Sequence, residues 1–313
     1  MHHFCRSRGK RSVCLNFDPI PDPLQWLSGV KDLVSGVPEG EKFDLAFLME
    51  TTDAARMGSR LDMLDSAKKK VHLDHHSAIT GLGDLNYIDP SASSTCEILY
   101  DLFLPWRSGP PPWARPTEGG PQNTCQGLPQ GRDLPLETLE ALYVGIMTDT
   151  GNFRFSNSTR RAHEIAGEII FSGIEIPRIF KQVYESNPYR KIIIHGLAMS
   201  RAQRCCNDKI IYSWLDWEDF VKLQAGPVDA DGAINQLCTV TGVEVAVTFR
   251  EQPDGRIKVS LRSNGKVDVQ KISKFFGGGG HKQAAGADVP GSIISVRNTV
   301  LEMVESVVAK MGK

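Results

Sequence analysis

The chain has 313 residues, of which 41% are hydrophobic and 23% charged, and a formal net charge of −1. This is longer than one core usually organises, so two domains are expected. Near-zero charge argues against a surface that tracks long nucleic acid, and no run approaches the roughly 18 apolar residues of a membrane helix. Seven cysteines, an odd number without framework spacing, fit a reducing cytoplasm.

In chain order, Ser12–Phe17 reads as a strand closed by Asp18-Pro19-Ile20-Pro21, and Phe43–Met49 as a buried strand ending at Glu50-Thr51-Thr52-Asp53. Met57–Lys69 reads as a helix, and Lys70–Leu73 as a third strand that delivers Asp74-His75-His76 at its carboxyl end. The capping box Ser94-Thr95-Cys96-Glu97, followed by Ile98, Leu99, Leu102 and Phe103, opens another helix. Strands alternating with helices predict an α/β fold with a doubly wound, mainly parallel sheet. Residues 105–135 break this rhythm with a Pro-, Gly- and Gln-rich run that reads as a surface insertion.

Helical spacing returns at Leu136, Leu139, Leu142, Tyr143 and Ile146 and runs out at Thr148-Asp149-Thr150-Gly151, which sets Asp149 at a helix end. Ala162, Ile165, Ala166, Ile169 and Ile170 mark a further amphipathic helix, and residues 187–204 a helical connector. Beyond it, Lys209–Leu215, Val243–Phe249 and Ile257–Leu261 read as strands, with helices over Glu218–Gln224 and Val296–Lys310. The expected layout is therefore a first domain over 1–186, the connector, and a smaller α/β domain over 205–313 carrying the run Gly277–Gly280 before His281.

A carboxylate and two imidazoles after an apolar strand make a ready metal site. Hydrolysing a phosphate ester at neutral pH requires an activated water and neutralised phosphoryl charge, which two divalent cations roughly 3.5–4 Å apart supply. Glu50 or Asp53, His75, His76 and Asp149 follow successive elements and are expected to converge at the sheet's carboxyl edge. Mixed oxygen and nitrogen donors suit Mn²⁺ or Mg²⁺ better than a thiol-rich zinc site. Asp74 is expected to orient a ligating imidazole from behind. His2, His3, His72, His163 and His195 show no such grouping and are assigned no role. Four consecutive glycines ordinarily make a flexible loop. Leading into His281 and Ala284-Ala285-Gly286, they predict exposed backbone N–H groups close to a phosphate, with His281 donating to it and Arg262 adding a bidentate contact.

Together, Asp74-His75-His76, the block Asn86–Thr95, the stretch Thr148–Phe153 and the stretch Gly277–Gly286 resemble the DHH phosphoesterase family with its associated C-terminal domain. The similarity is closest to the branch of bifunctional oligoribonucleases (nano-RNases) and pAp phosphatases. It implies a cytoplasmic, Mn²⁺-dependent phosphohydrolase with two metal ions, dimerising through its phosphoesterase domain. The implied substrates are nano-RNA, linear or cyclic dinucleotides, and the 3′-phosphate of pAp, but no long nucleic acid. Position by position, the resemblance puts metal on Glu50, His75 and Asp149, a metal or phosphate contact on His76, and phosphate and base recognition on Arg262, Gly279, Gly280 and His281. His75, His76 and Asp149 are the implied catalytic residues.

Two departures stand out. The family's first strand and its His…Asp-x-Asp motif have no counterpart upstream of Glu50, and Glu50 stands where the family usually has Asp. The expectation drawn from the first is a truncated sequence whose complete protein is an active enzyme. The competing expectation is a nucleotide-binding protein, catalytically impaired for want of the first metal motif.

Overall fold

The computed structural model describes residues 1–37, 39–51, 58–76, 81–104 and 134–310. The chain divides into two compact units, Met1–Ser186 and Asn187–Lys313, and each is an α/β assembly. Asp53 and most of the Pro-rich insertion lie outside the described residues.

The first unit opens with helix α1 (His2–Ser7), followed by two short strands, β1 (Cys14–Leu15) and β2 (Leu33–Val34), which pair in parallel. The strand expected over Ser12–Phe17 is thus only two residues long. Three parallel strands follow: β3 (Phe43–Met49), β4 (Ala67–Asp74) and β5 (Leu85–Ile88), in that spatial order. Between β3 and β4 the expected helix over Met57–Lys69 is instead a 3-10 segment, Gly58–Ser66, and Ala67–Lys69 already belong to β4.

Register places Met49 opposite Leu73, and Asp74 opposite Ile88. The three strands therefore end level, and Glu50, His75 and Asp89 emerge at one edge. Helices α2 (Thr95–Phe103), α3 (Leu136–Asp149) and α4 (Arg160–Ile170) cover the sheet. Leu99, Tyr100, Phe103, Leu142, Ile146, Met147 and Ile165 form the core with Leu73. Full burial of a side chain such as Ile146 or Met147 contributes about 1.5–3 kcal/mol, so the last turn of α3, which ends at Asp149, is firmly seated. Gly145 makes this approach possible, since a Cβ there would lie 2.2 Å from Cys96 Sγ on α2. A short helix, α5 (Ile176–Phe180), closes the unit.

The second unit is built on six strands, β6 (Gln203–Cys205), β7 (Ile210–Leu215), β8 (Val245–Glu251), β9 (Ile257–Ser263), β10 (Gly279–His281) and β11 (Ala284–Val289), in the order β10-β11-β9-β8-β7-β6. Only β7 and β8 are parallel. One face, with Val245, Val247, Phe249, Val259 and Leu261, packs on the long helix α10 (Ile293–Ala309) through Val296, Val300, Val304 and Val308. These valines recur every fourth residue and make one stripe. The other face receives α6 (Tyr189–Ser200), α7 (Trp217–Lys222) and α8 (Ala233–Leu237), around Ile194, Leu215 and Phe220 and around Ile211, Ile234 and Leu237. Helix α9 (Val269–Phe275) precedes the glycine run.

Candidate metal centre

At the level edge of β3 and β4, Glu50, His75 and His76 can each present one ligand atom so that all lie within 4.8 Å of one another. Asp149 joins them from the end of α3, with Oδ2 3.1 Å from His75 Nε2, while Glu50 Oε2 lies 3.9 Å from that nitrogen. Glu50 reaches this position with a left-handed backbone, φ 56°. That conformation is costly for a residue with a Cβ and is the kind of strain held at functional sites. After Asp149 the chain is left-handed for three residues, Gly151, Asn152 and Phe153. The Asn157 amide ties this turn to Ser93 O and Asp149 O at 2.9 and 3.2 Å.

Hydrogen bonds fix the tautomers of the two rings, although the His76 nitrogen nearer Glu50 Oε2, at 3.6 Å, is Nδ1. His75 Nδ1 lies 3.3 Å from Ala92 O; a carbonyl only accepts, so Nδ1 carries the proton and Nε2 of the neutral ring carries the lone pair. His76 Nδ1 donates to Asp74 Oδ1 at 2.7 Å, which places the lone pair of that ring on Nε2 as well. Asp74 is fully buried and also accepts from the backbone N–H of His75 and His76 at 2.7 and 3.0 Å. Burial opposes its ionised form, but the hydrogen bonds from His76 and His75 outweigh it and hold the carboxyl below its ordinary range. His75 Nε2 is buried, has no hydrogen-bond partner among the described residues, and points at carboxylate oxygens. Two lone-pair donors at this separation need a cation between them, and imidazoles whose other N–H is held by a carbonyl or carboxylate are typical metal ligands. The donor set fits a divalent ion.

The other expected site residues lie in the second unit. Arg262 sits on β9 opposite Ala246 and Ala284, whose small side chains leave room around it. It borders a cavity of ≈160 Å³ that Ser213, Thr248 and Ser260 also line. Its Nε donates to Asn235 Oδ1 at 3.3 Å, and burial pushes its guanidinium below the usual arginine range. Among the described residues it forms no ion pair with a carboxylate. Gly279, Gly280 and His281 are exposed. They do not lie in a loop: they form the edge strand β10, paired with β11 through Gly279 opposite Gly286 and Gly280 opposite Ala285. A Cβ on Gly278 would lie 2.2 Å from Gly286 O, and one on Gly280 2.5 Å from Ala284 O. Close approach of two backbones, rather than flexibility, explains these two glycines.

Residues 207–310 match the DHHA1 domain family. The bifunctional oligoribonuclease and PAP phosphatase NrnA of Bacillus subtilis is 26% identical over 270 residues, 86% of this chain and 77% of that protein. Its counterpart of the same name in Thermus thermophilus is 25% identical over 299 residues, 92% and 81% of the two chains. These likenesses support a DHH-family phosphoesterase of the NrnA branch. A solved exopolyphosphatase-related protein from Bacteroides fragilis shares the DHH phosphoesterase fold, with TM-score 0.81 and 23% identity over 98% of this chain and 87% of its own. DHH phosphoesterases hydrolyse phosphoester bonds and generally depend on divalent metal, in keeping with the donor set at Glu50, His75, His76 and Asp149.

His72 carried no expected role, yet it is fully buried beside Asp74. The available signal was strand period: residues 72 and 74 share one face of β4. No helix among the described residues is long and apolar enough to cross a membrane.

Proposed function

We propose that this chain is a Mn²⁺-dependent phosphohydrolase of short nucleotides, cleaving nano-RNA, linear or cyclic dinucleotides and the 3′-phosphate of pAp. The reading rests above all on His75 Nε2, buried without a hydrogen-bond partner among the described residues and facing Asp149 Oδ2 at 3.1 Å and Glu50 Oε2 at 3.9 Å. Glu50, His75 and Asp149 would hold the metal, which when bound supplies the charge that polarises a phosphoryl oxygen and acidifies a water. Ala92 O holds His75 by its Nδ1–H and leaves its Nε2 toward the carboxylates, and Asp74 holds His76 by its Nδ1–H, so neither ring need reorganise during the reaction. His76 is placed to contact either metal or substrate phosphate. In the second unit, Arg262, which forms no carboxylate ion pair among the described residues, and the exposed edge Gly279-Gly280-His281 provide donors for phosphate and base.

Short substrates agree with the net charge of −1, which gives no long electrostatic track for a polynucleotide. The test is release of phosphate from pAp and of mononucleotide from pApA, with excess Mn²⁺ and with EDTA. Mn²⁺-dependent release of either product is expected, abolished by the chelator. Binding of both nucleotides without any product at saturating Mn²⁺ would sink the reading.

A further inference from the structure

His72 and Asp74 are both fully buried, on one face of β4. Leu82 N–H donates to His72 Nδ1 at 3.3 Å, so in the neutral ring the proton sits on Nε2. The segment that brings Leu82 in runs flush against β4, because Gly83 has no Cβ: one placed there would lie 2.8 Å from Lys70 O and 2.9 Å from His72 N. His72 Nε2–H then faces Asp74 Oδ2 across 3.7 Å, and neither atom has a hydrogen-bond partner among the described residues. The other oxygen, Oδ1, is fully engaged by His75 N, His76 N and His76 Nδ1 at 2.7, 3.0 and 2.7 Å. Asp74 therefore lies between His72, which faces Oδ2, and His76, which is bonded to Oδ1.

We propose that His72 is a positioning residue of the metal centre, acting through Asp74 to fix the tautomer and aim of His76. A buried carboxylate oxygen with no donor near it bears its full desolvation penalty. His72 Nε2–H, facing it across 3.7 Å, is the donor placed to relieve it, and it does so once a small turn of the carboxyl plane closes that gap. That plane in turn decides whether Oδ1 can accept from His76 Nδ1 and leave Nε2 as the ligating nitrogen. Partners of this kind behind a ligand typically change metal affinity about 10–100-fold when removed. The inference rests on the metal-dependent reading above, and its test separates the two.

The test compares His72→Gln with His72→Asn. A Gln amide nitrogen reaches the place of Nε2 and keeps a donor toward Asp74 Oδ2. An Asn amide oxygen reaches only the place of Nδ1, keeping the Leu82 N–H partner and losing the donor. Both are polar and both remove the ring, so a mere packing role predicts equal effects. Mn²⁺ affinity is measured by calorimetric titration and the His76 tautomer by long-range ¹⁵N–¹H spectra of the metal-free protein, with melting temperatures for each variant. We expect H72Q to bind Mn²⁺ within about threefold of the parent and to keep His76 protonated on Nδ1. We expect H72N to bind about 10–100-fold more weakly, with a mixture of His76 tautomers. Parent-like affinity and tautomer in H72N would overturn the proposal, as would equal losses in both variants that track their melting temperatures. If the parent itself binds no Mn²⁺, the metal reading falls, while the His76 spectra still decide the role of His72.

Discussion

In the first unit the groups gathered at the sheet edge are side-chain atoms, aimed by contacts behind them: Ala92 O behind His75, Asp74 behind His76, Asn157 behind the turn after Asp149. In the second unit the edge that the glycine run forms is backbone, aimed by the absence of side chains. There Gly278 and Gly280 let β10 lie against β11, and Ser273 Oγ pins the pair by donating to Gly286 O at 2.6 Å and Gly279 O at 3.2 Å. The first kind of site fails when chemistry is removed with shape conserved. The second fails when shape is added with chemistry conserved.

The largest effect should come from Asp149→Asn, which conserves shape and removes charge. Loss of several kcal/mol of transition-state stabilisation at a metal site, at about 1.4 kcal/mol per decade, lowers kcat/KM on the order of 10³-fold. Stability should change by no more than about 0.5 kcal/mol, because the carboxylate is 41% exposed. Activity within tenfold of the parent would show that Asp149 holds nothing the reaction needs, and the contrast between the units would lose its first half.

The second half is tested by two neighbouring glycines. A Cβ at Gly278 meets Gly286 O at 2.2 Å and Ser273 Oγ at 2.5 Å, whereas a Cβ at Gly279 meets nothing within 4 Å. Gly278→Ala should therefore cost about 1–3 kcal/mol of overpacking, read from urea midpoints. Gly279→Ala should leave stability within about 0.5 kcal/mol and raise KM about tenfold, the loss of one hydrogen bond to a charged group. An unaltered KM in Gly279→Ala would mean that this backbone does not approach the substrate phosphate.

These contrasts also explain what could be read from sequence. The runs Phe43–Met49 and Lys70–Leu73 match observed strands, but the first is not the buried strand expected, since only Leu48 in it is buried while Asp44 and Leu45 are exposed. The helical spacing that ends at Asp149 matches α3. Strand β5, by contrast, is only four residues long and mostly exposed, with Leu85 and Tyr87 more than half open to solvent, so its pattern is too short to mark it. Strand β10 is missed for a different reason: glycines have no side chains to alternate, and only the Cβ clashes at Gly278 and Gly280 reveal the pairing. Glu50's left-handed backbone has no signature either, since local propensity would put Gly or Asn there. Such strain is imposed by the surrounding fold, and sequence-local reasoning does not reach it.

The smallest effects concern the seat of α3, where shape and charge meet in one pair of residues. Gly145→Ala places a Cβ 2.2 Å from Cys96 Sγ and should cost about 1–3 kcal/mol. Adding Cys96→Ala removes the clashing sulfur and should recover most of that loss, a non-additivity expected only of residues in contact. The same thiol gives the unit an alkaline weakness. Burial pushes Cys96 from 9.0 up to about 12; the folded thiol stays protonated where the unfolded one ionises, so the unfolded state binds fewer protons above pH 9. The stability Cys96 contributes is complete below pH 9 and is lost as pH rises toward 12, by about 1.4 kcal/mol per pH unit. Urea midpoints at pH 9 and 10.5 should therefore converge in Cys96→Ala relative to the parent. Parallel loss in both proteins would show that the helix pair admits solvent at Cys96, and with it that the α3 end carrying Asp149 is held less tightly than the 2.2 Å approach implies.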